Sequence, residues 1–159
     1  MQFRGDTVAV SIKRLGAGDG SILEFLALHD ADFDLDERGA PQQPLELETA
    51  KRFLEHPDVL LWVAFDENVI VGFLQCNVIL LRSRLGQELV LYEIGVHQDW
   101  RRQGIGRALL NQMETWMHEN KVDVVWVLAD NQEAVEFYRS SGFEAENPQP
   151  TYMLREITI

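Results

Sequence analysis

The chain has 159 residues, 46% of them hydrophobic and 25% charged, which fits one globular domain with a full core. Acids outnumber bases 26 to 14, for a formal net charge of −12, and this argues against nucleic acid and anionic membrane surfaces, which both need clustered Lys and Arg. The single cysteine, Cys76, excludes an internal disulfide and a Cys-rich zinc site, and no metal is expected.

No apolar run is long enough to span a bilayer, and the polar start, Met1 to Thr7, has no signal-peptide pattern, so a cytoplasmic setting is expected. Along the chain, Val8 to Leu15 alternates loosely and predicts a first strand. Asp19 offers an N-cap to a helix with Ile22, Leu23, Phe25 and Leu26 on one face. Residues 30–46 are rich in acids, Pro and Gly and predict a loop. Glu48 to Glu55 predicts a second helix, stopped before Pro57.

Val59–Phe65 and Val69–Leu81 predict a hairpin across Asp66-Glu67-Asn68. A further turn near Arg82–Gln87 leads into a strand over Glu88–Val96. Gly104–Asn120 is amphipathic, with Ile105, Leu109, Met113, Trp116 and Met117 on one face, and predicts a long helix. Val122–Leu128 predicts a buried strand and Asn131–Ser141 a short helix closed by Gly142. Phe143–Ile159 predicts two short strands around Pro148 and Pro150. The order β-α-α-β-β-β-α-β-α-β-β describes an α/β (α+β) protein: an antiparallel meander, then a β-α-β unit, in a mixed sheet with helices on its faces.

The segment from Val96 to Leu110 concentrates the chemistry. It leaves a strand, passes Arg101-Arg102-Gln103-Gly104-Ile105-Gly106 and opens a helix. Glycines there let a ligand approach the backbone, and free amides with the helix dipole suit a pyrophosphate. Arg101, Arg102 and Arg107 reverse the sign of an otherwise acidic protein. Neither a P-loop nor the dinucleotide fingerprint is present, because no Gly-Lys-Ser/Thr follows and Arg107-Ala108-Leu109 comes after Gly106.

Together with Asn131-x-x-Ala134-x-x-Phe137-Tyr138 and Ser141-Gly142-Phe143 past the next strand, this motif resembles the acyl-CoA signature of the GNAT superfamily of N-acetyltransferases. The resemblance covers nearly the whole chain and implies a single N-acetyltransferase domain over residues 1–159. It implies a mixed, mostly antiparallel sheet of about six or seven strands, splayed at its central parallel pair, with helices on both faces. Acetyl-CoA would be the co-substrate. It would be held by Ile94 and Val96, by Arg101, Arg102, Gln103, Gly104, Ile105, Gly106 and Arg107, and by Asn131 and Tyr138.

The resemblance makes Tyr138 the acid that protonates the departing thiolate; a phenol has a suitable proton affinity. Glu93, between Tyr92 and Ile94, is the candidate base. Its apolar neighbours predict partial burial and a raised pKa. Glu88 and His97 are weaker candidates, His97 reading as a loop residue.

Residues 30–48 hold seven acids against Arg38 alone, half of the net charge. Beside a carboxylate base, such a segment suits a cationic amine, and Asp32, Asp34, Asp36 and Glu93 are the candidate acceptor-binding residues. Phe33-Asp34-Leu35-Asp36, the Val63–Gly72 hairpin and Tyr92-Glu93-Ile94-Gly95-Val96 resemble the type I aminoglycoside 3-N-acetyltransferases. Those enzymes commonly carry Asp where this chain has Glu93, and the segment after Asp130 is shorter here. The expected acceptor is an aminoglycoside. A polyamine, a protein or peptide amine, and a non-catalytic acyl-CoA sensor stay open as alternatives. The Tyr152–Ile159 strand could pair across a two-fold axis in a homodimer.

Overall fold

In the computed structural model, residues 9–33, 43–83 and 86–158 are described. They fall into two compact units, Met1–Leu128 and Ala129–Ile159. The first holds one sheet of five strands in sequence order: β1 (Ser11–Arg14), β2 (Val59–Asp66), β3 (Val69–Leu80), β4 (Gln87–Val96) and β5 (Val125–Val127). Its helices are α1 (Gly20–Leu28), α2 (Leu47–Glu55) and α3 (Ile105–Asn120). β1 to β4 pair antiparallel, and β5 joins β4 in parallel. α3 lies between β4 and β5 and makes the crossover that a parallel pair requires.

Alternation along the strands divides their side chains between two faces. One face meets α3: a Cβ at Gly72 would lie 2.9 Å from Ile105 Cγ2 and 3.2 Å from Leu109 Cδ1. Leu60, Leu74, Cys76, Leu89 and Leu91, all buried, share that face through their registers. On the other face Leu61, Val63 and Phe73 pack with Leu15, Leu26, Phe33 and Leu54, drawn from β1, α1 and α2 and the segments after them. The helices thus cover both faces, as expected.

Three expectations need correction. Residues 30–46 do not run as a plain loop, because Asp30–Phe33 forms a 3-10 turn; its Phe33 is 3% exposed and anchors the turn in the core. The strand expected over Val122–Leu128 is ordered as strand only at Val125–Val127. No strand forms among the described residues after Phe143. Pro148 and Pro150 remove two backbone donors there, and Tyr152, Met153, Leu154 and Ile157 are exposed. The described sheet therefore has five strands, fewer than expected, and the strand proposed to pair two subunits is absent among the described residues.

The second unit contains α4 (Gln132–Ser140). Ser141 ends the helix and Gly142 follows at φ 92°, a left-handed position that favours glycine. No described helix is long and apolar enough to cross a membrane.

Candidate functional site

β4 is twice interrupted, and both interruptions bear on chemistry. The first is a bulge against β3. Leu91 opposes Cys76 and Glu93 opposes Gln75, which leaves Tyr92 as the extra residue. A bulge shifts the side-chain alternation by one. Leu89 and Leu91 therefore point to the α3 face, whereas Glu93 and Gly95 point to the face of α1 and α2. Without the bulge, Glu93 would follow Leu91 into the α3 core.

The second interruption lies on the opposite edge. β5 pairs with β4 only at Leu89, Val90 and Leu91, so Tyr92–Val96 have no strand partner there among the described residues. The His97 amide donates to the Val71 carbonyl of β3 at 2.9 Å. Successive residues turn their backbone groups to opposite edges, so Ile94 and Val96 turn theirs to the unpaired edge. This is the splay expected at the parallel pair, and it falls at the two residues that the resemblance implies for a pantetheine arm, where the Val96 carbonyl is held by Arg101.

The chain then winds through a short 3-10 turn, Gln98–Trp100, into α3. His97 caps this turn, its Nδ1 accepting from the Asp99 amide at 3.2 Å, and its ring meets Phe33 and Trp100 edge-on. It lies in the loop after β4, as the sequence predicts. The Trp100 indole donates to Asp66 Oδ2 at 3.1 Å, which ties the loop to the β2–β3 turn. Arg102 (φ 62°) and Gly104 (φ 83°) both adopt left-handed backbone. Left-handed residues in a turn are the backbone from which anion-binding concavities of amides are built. The α3 amides that follow have no acceptor within their own helix. Ile105 and Gly106 are buried, while Arg102 and Arg107 are exposed. Arg101 turns back, Nε donating to the Val96 carbonyl at 3.3 Å, and Gln103 donates to the Asp99 carbonyl at 3.4 Å. The donor set fits a phosphate-bearing ligand.

Glu93 is half-buried. Burial raises its pKa above the ordinary carboxylate value, and the Asp30 charge raises it further. Asp30 is 7% exposed and opens the 3-10 turn whose Phe33 rests on β4. The sequence groups Asp30 with the other acids of residues 30–48 and does not by itself place it near the candidate base. A signal existed in its spacing of three from Phe33, which on a 3-10 turn puts both residues on one side. Asp32 is on the same turn and half-buried. Asp34 and Asp36 lie outside the described residues. Among the described residues no group of His, Cys, Asp and Glu could hold a metal ion.

In the second unit, Asn131 caps α4: its Oδ1 accepts from the Ala134 amide at 2.8 Å and its Nδ2 donates to Asp130 at 3.1 Å. Tyr138 is 7% exposed, with ring centroids 5.3 Å from Phe137 and 5.2 Å from Phe143.

The Acetyltransferase (GNAT) family profile matches residues 23–143 and so draws on both units. The solved structure of an aminoglycoside acetyltransferase from an uncultured soil metagenomic sample, in complex with sisomicin, superposes with a TM-score of 0.80 at 26% identity. That comparison covers 94% of this chain and 97% of the other. The L-amino acid N-acetyltransferase AaaT of Escherichia coli is 27% identical over 66% of this chain and 65% of its own length. The ribosomal protein bS18-alanine N-acetyltransferase of Escherichia coli is 36% identical over 41% of this chain and 45% of its own. The chain thus spans less than two thirds of the curated relatives it matches.

Proposed function

The chain belongs to the GNAT family of acetyltransferases, and from that premise we propose that it moves an acetyl group from acetyl-CoA to a primary amine of a cationic small molecule, most consistently the 3-amino group of an aminoglycoside. The strongest support is β4, where a half-buried carboxylate, Glu93, stands on a strand whose next residues have an unpaired edge. The amides and arginines at the start of α3 supply the electropositive ground for a pyrophosphate.

In this reading Glu93 accepts a proton from the arriving ammonium and so frees the nitrogen lone pair. The nitrogen attacks the thioester carbonyl carbon and a C–N bond forms; the nitrogen then sheds its second proton to water, and the C–S bond breaks with its electron pair leaving on sulfur. The thiolate takes up a proton, the role that the family resemblance implies for the Tyr138 phenol, which regains its own from water. Glu93 returns its proton to water. The products are the N-acetylated amine and free CoA.

Three amine classes appear among the relatives, and charge separates them. The acidic run from Asp30 to Glu48, with Asp30 and Glu93 within electrostatic reach of each other, favours an acceptor with several positive charges over a zwitterionic amino acid. The likeness to an aminoglycoside acetyltransferase over 94% of the chain supports the same choice.

The test is release of free CoA thiol from acetyl-CoA across aminoglycosides, polyamines, amino acids and a peptide with N-terminal alanine. Cys76 gives no background, because it is fully buried and burial pushes its thiol up to about 12. Aminoglycosides are expected to give the highest kcat/KM. Turnover confined to amino acids or the peptide would replace the acceptor, and no turnover on any amine would sink the activity.

A further inference from the structure

The 3-10 turn Asp30–Phe33 has a position relative to β4 that packing fixes. A Cβ at Gly95 would lie 3.2 Å from Phe33 Cβ, so Phe33 sits directly over Gly95. Phe33 also meets Phe73 edge-on at 5.7 Å and His97 at 5.6 Å. Residues three apart on a 3-10 turn eclipse, with a rise of about 6 Å between them. Residues two apart on a strand share a face, with a rise of about 6–7 Å. Asp30, one turn back from Phe33, and Glu93, one strand repeat back from Gly95, both adjoin this contact and lie within electrostatic reach of each other. The bulge at Tyr92 makes this meeting occur, since it turns Glu93 toward this face.

The geometry points to Asp30 as the second acid of the acceptor site, a positioning residue whose buried charge governs how readily Glu93 receives a proton from an ammonium. This rests on the acetyl-transfer reading above and adds a residue to it. Asp30 is too buried to be the first group an amine meets; it acts through Glu93. Two neighbouring carboxylates resist ionising together, so the pair is relieved when a cation docks beside it. The site would then select acceptors that arrive as ammonium ions.

The other groups on this face do not supply that charge. Gln75, opposite Glu93, is uncharged. His97 Nδ1 accepts from the Asp99 amide, and His29 Nδ1 is bonded to the Phe25 carbonyl. Asp32 is half-buried on the same turn and adds to the negative field. Lys13, on β1, is paired with Asp19, and the charged residues of α1 and α2 are exposed.

The experiment compares the wild type with Asp30→Asn in two readouts. A 13C carboxyl titration follows Glu93 without any substrate. The pH profile of kcat/KM is measured on the best amine of the panel. The expected result is a lower Glu93 midpoint in the variant and an acid limb displaced to lower pH by the same interval. A merely structural Asp30 would lower stability or kcat and leave both midpoints in place, and that outcome overturns the inference. If Asp30→Asn does not fold, Glu93→Gln serves reciprocally: the Asp30 midpoint should fall, and an unchanged midpoint overturns the pairing. A panel without turnover would defeat the acetyl-transfer reading, while the carboxyl titration would still decide the pairing.

Discussion

Glu93 stands where its ionised form is disfavoured, by burial first and by the Asp30 charge second. An acid with a pKa raised on folding binds more protons in the native state than in the unfolded chain. Its contribution to stability is therefore present in acid and is lost as pH rises through the native pKa. At neutral pH the ionised side chain costs stability in exchange for basicity. Glu93→Gln removes the cost and, under the proposed function, the base with it. It should lower kcat by about 10²–10⁴-fold, the usual range for a positioned general base, with acetyl-CoA affinity unchanged. Thermal unfolding at pH 7 should show equal or greater stability than wild type, the advantage disappearing toward pH 4. Unchanged kcat would remove Glu93 from its role. The residue was legible in the sequence as an acid among apolar neighbours. The face it points to was not, because face depends on the extra residue Tyr92, and a bulge leaves no mark in a run such as Leu91-Tyr92-Glu93-Ile94.

At the scale of elements, local pattern decided what could be read. β2, β3, β4 and α3 follow from alternation and helical periodicity, and they end within a residue or two of where the pattern places them. The Asp30–Phe33 turn and the short β5 depend on distant contacts, so the sequence conceals them. The turn is held by the missing side chain at Gly95, where a Cβ would lie 2.7 Å from Phe73 Cε1 as well as 3.2 Å from Phe33 Cβ. Gly95→Ala should destabilise the protein by about 1–3 kcal/mol through overpacking, read as a lower urea midpoint. It should also lift Phe33 and with it Asp30, so activity should fall more than the stability loss alone explains. Full activity in the folded variant would show that the seating of Phe33 is immaterial to the site. Asn131, for which the family motif implies a ligand contact, also caps α4 through the Ala134 amide.

For the molecule as a whole, the net charge of −12 has opposite consequences for the two reactants. Acetyl-CoA is an anion approaching an acidic protein, and Arg102 and Arg107, exposed at the start of α3, oppose that repulsion locally. Under the proposed function, a polycationic amine would be drawn in by the field of the whole chain and by the acids of residues 30–48, which carry half of the net charge. Screening shortens such fields to about 10 Å at 0.1 M salt. Raising salt from about 20 to about 200 mM should therefore lower kcat/KM for a polycationic acceptor several-fold, mainly through KM. The KM for acetyl-CoA should stay level or fall, because its long-range repulsion is screened while its contacts at the loop are short. Replacing Asp32, Asp34 and Asp36 together by Asn should flatten the acceptor's salt dependence and leave kcat at saturating amine near the wild-type value. Steady-state kinetics of the wild type and this variant on both substrates check this directly. If the acceptor's KM proved insensitive to salt, the acidic segment would be a solvated surface run, and selection of the amine would fall to Glu93 and Asp30 alone.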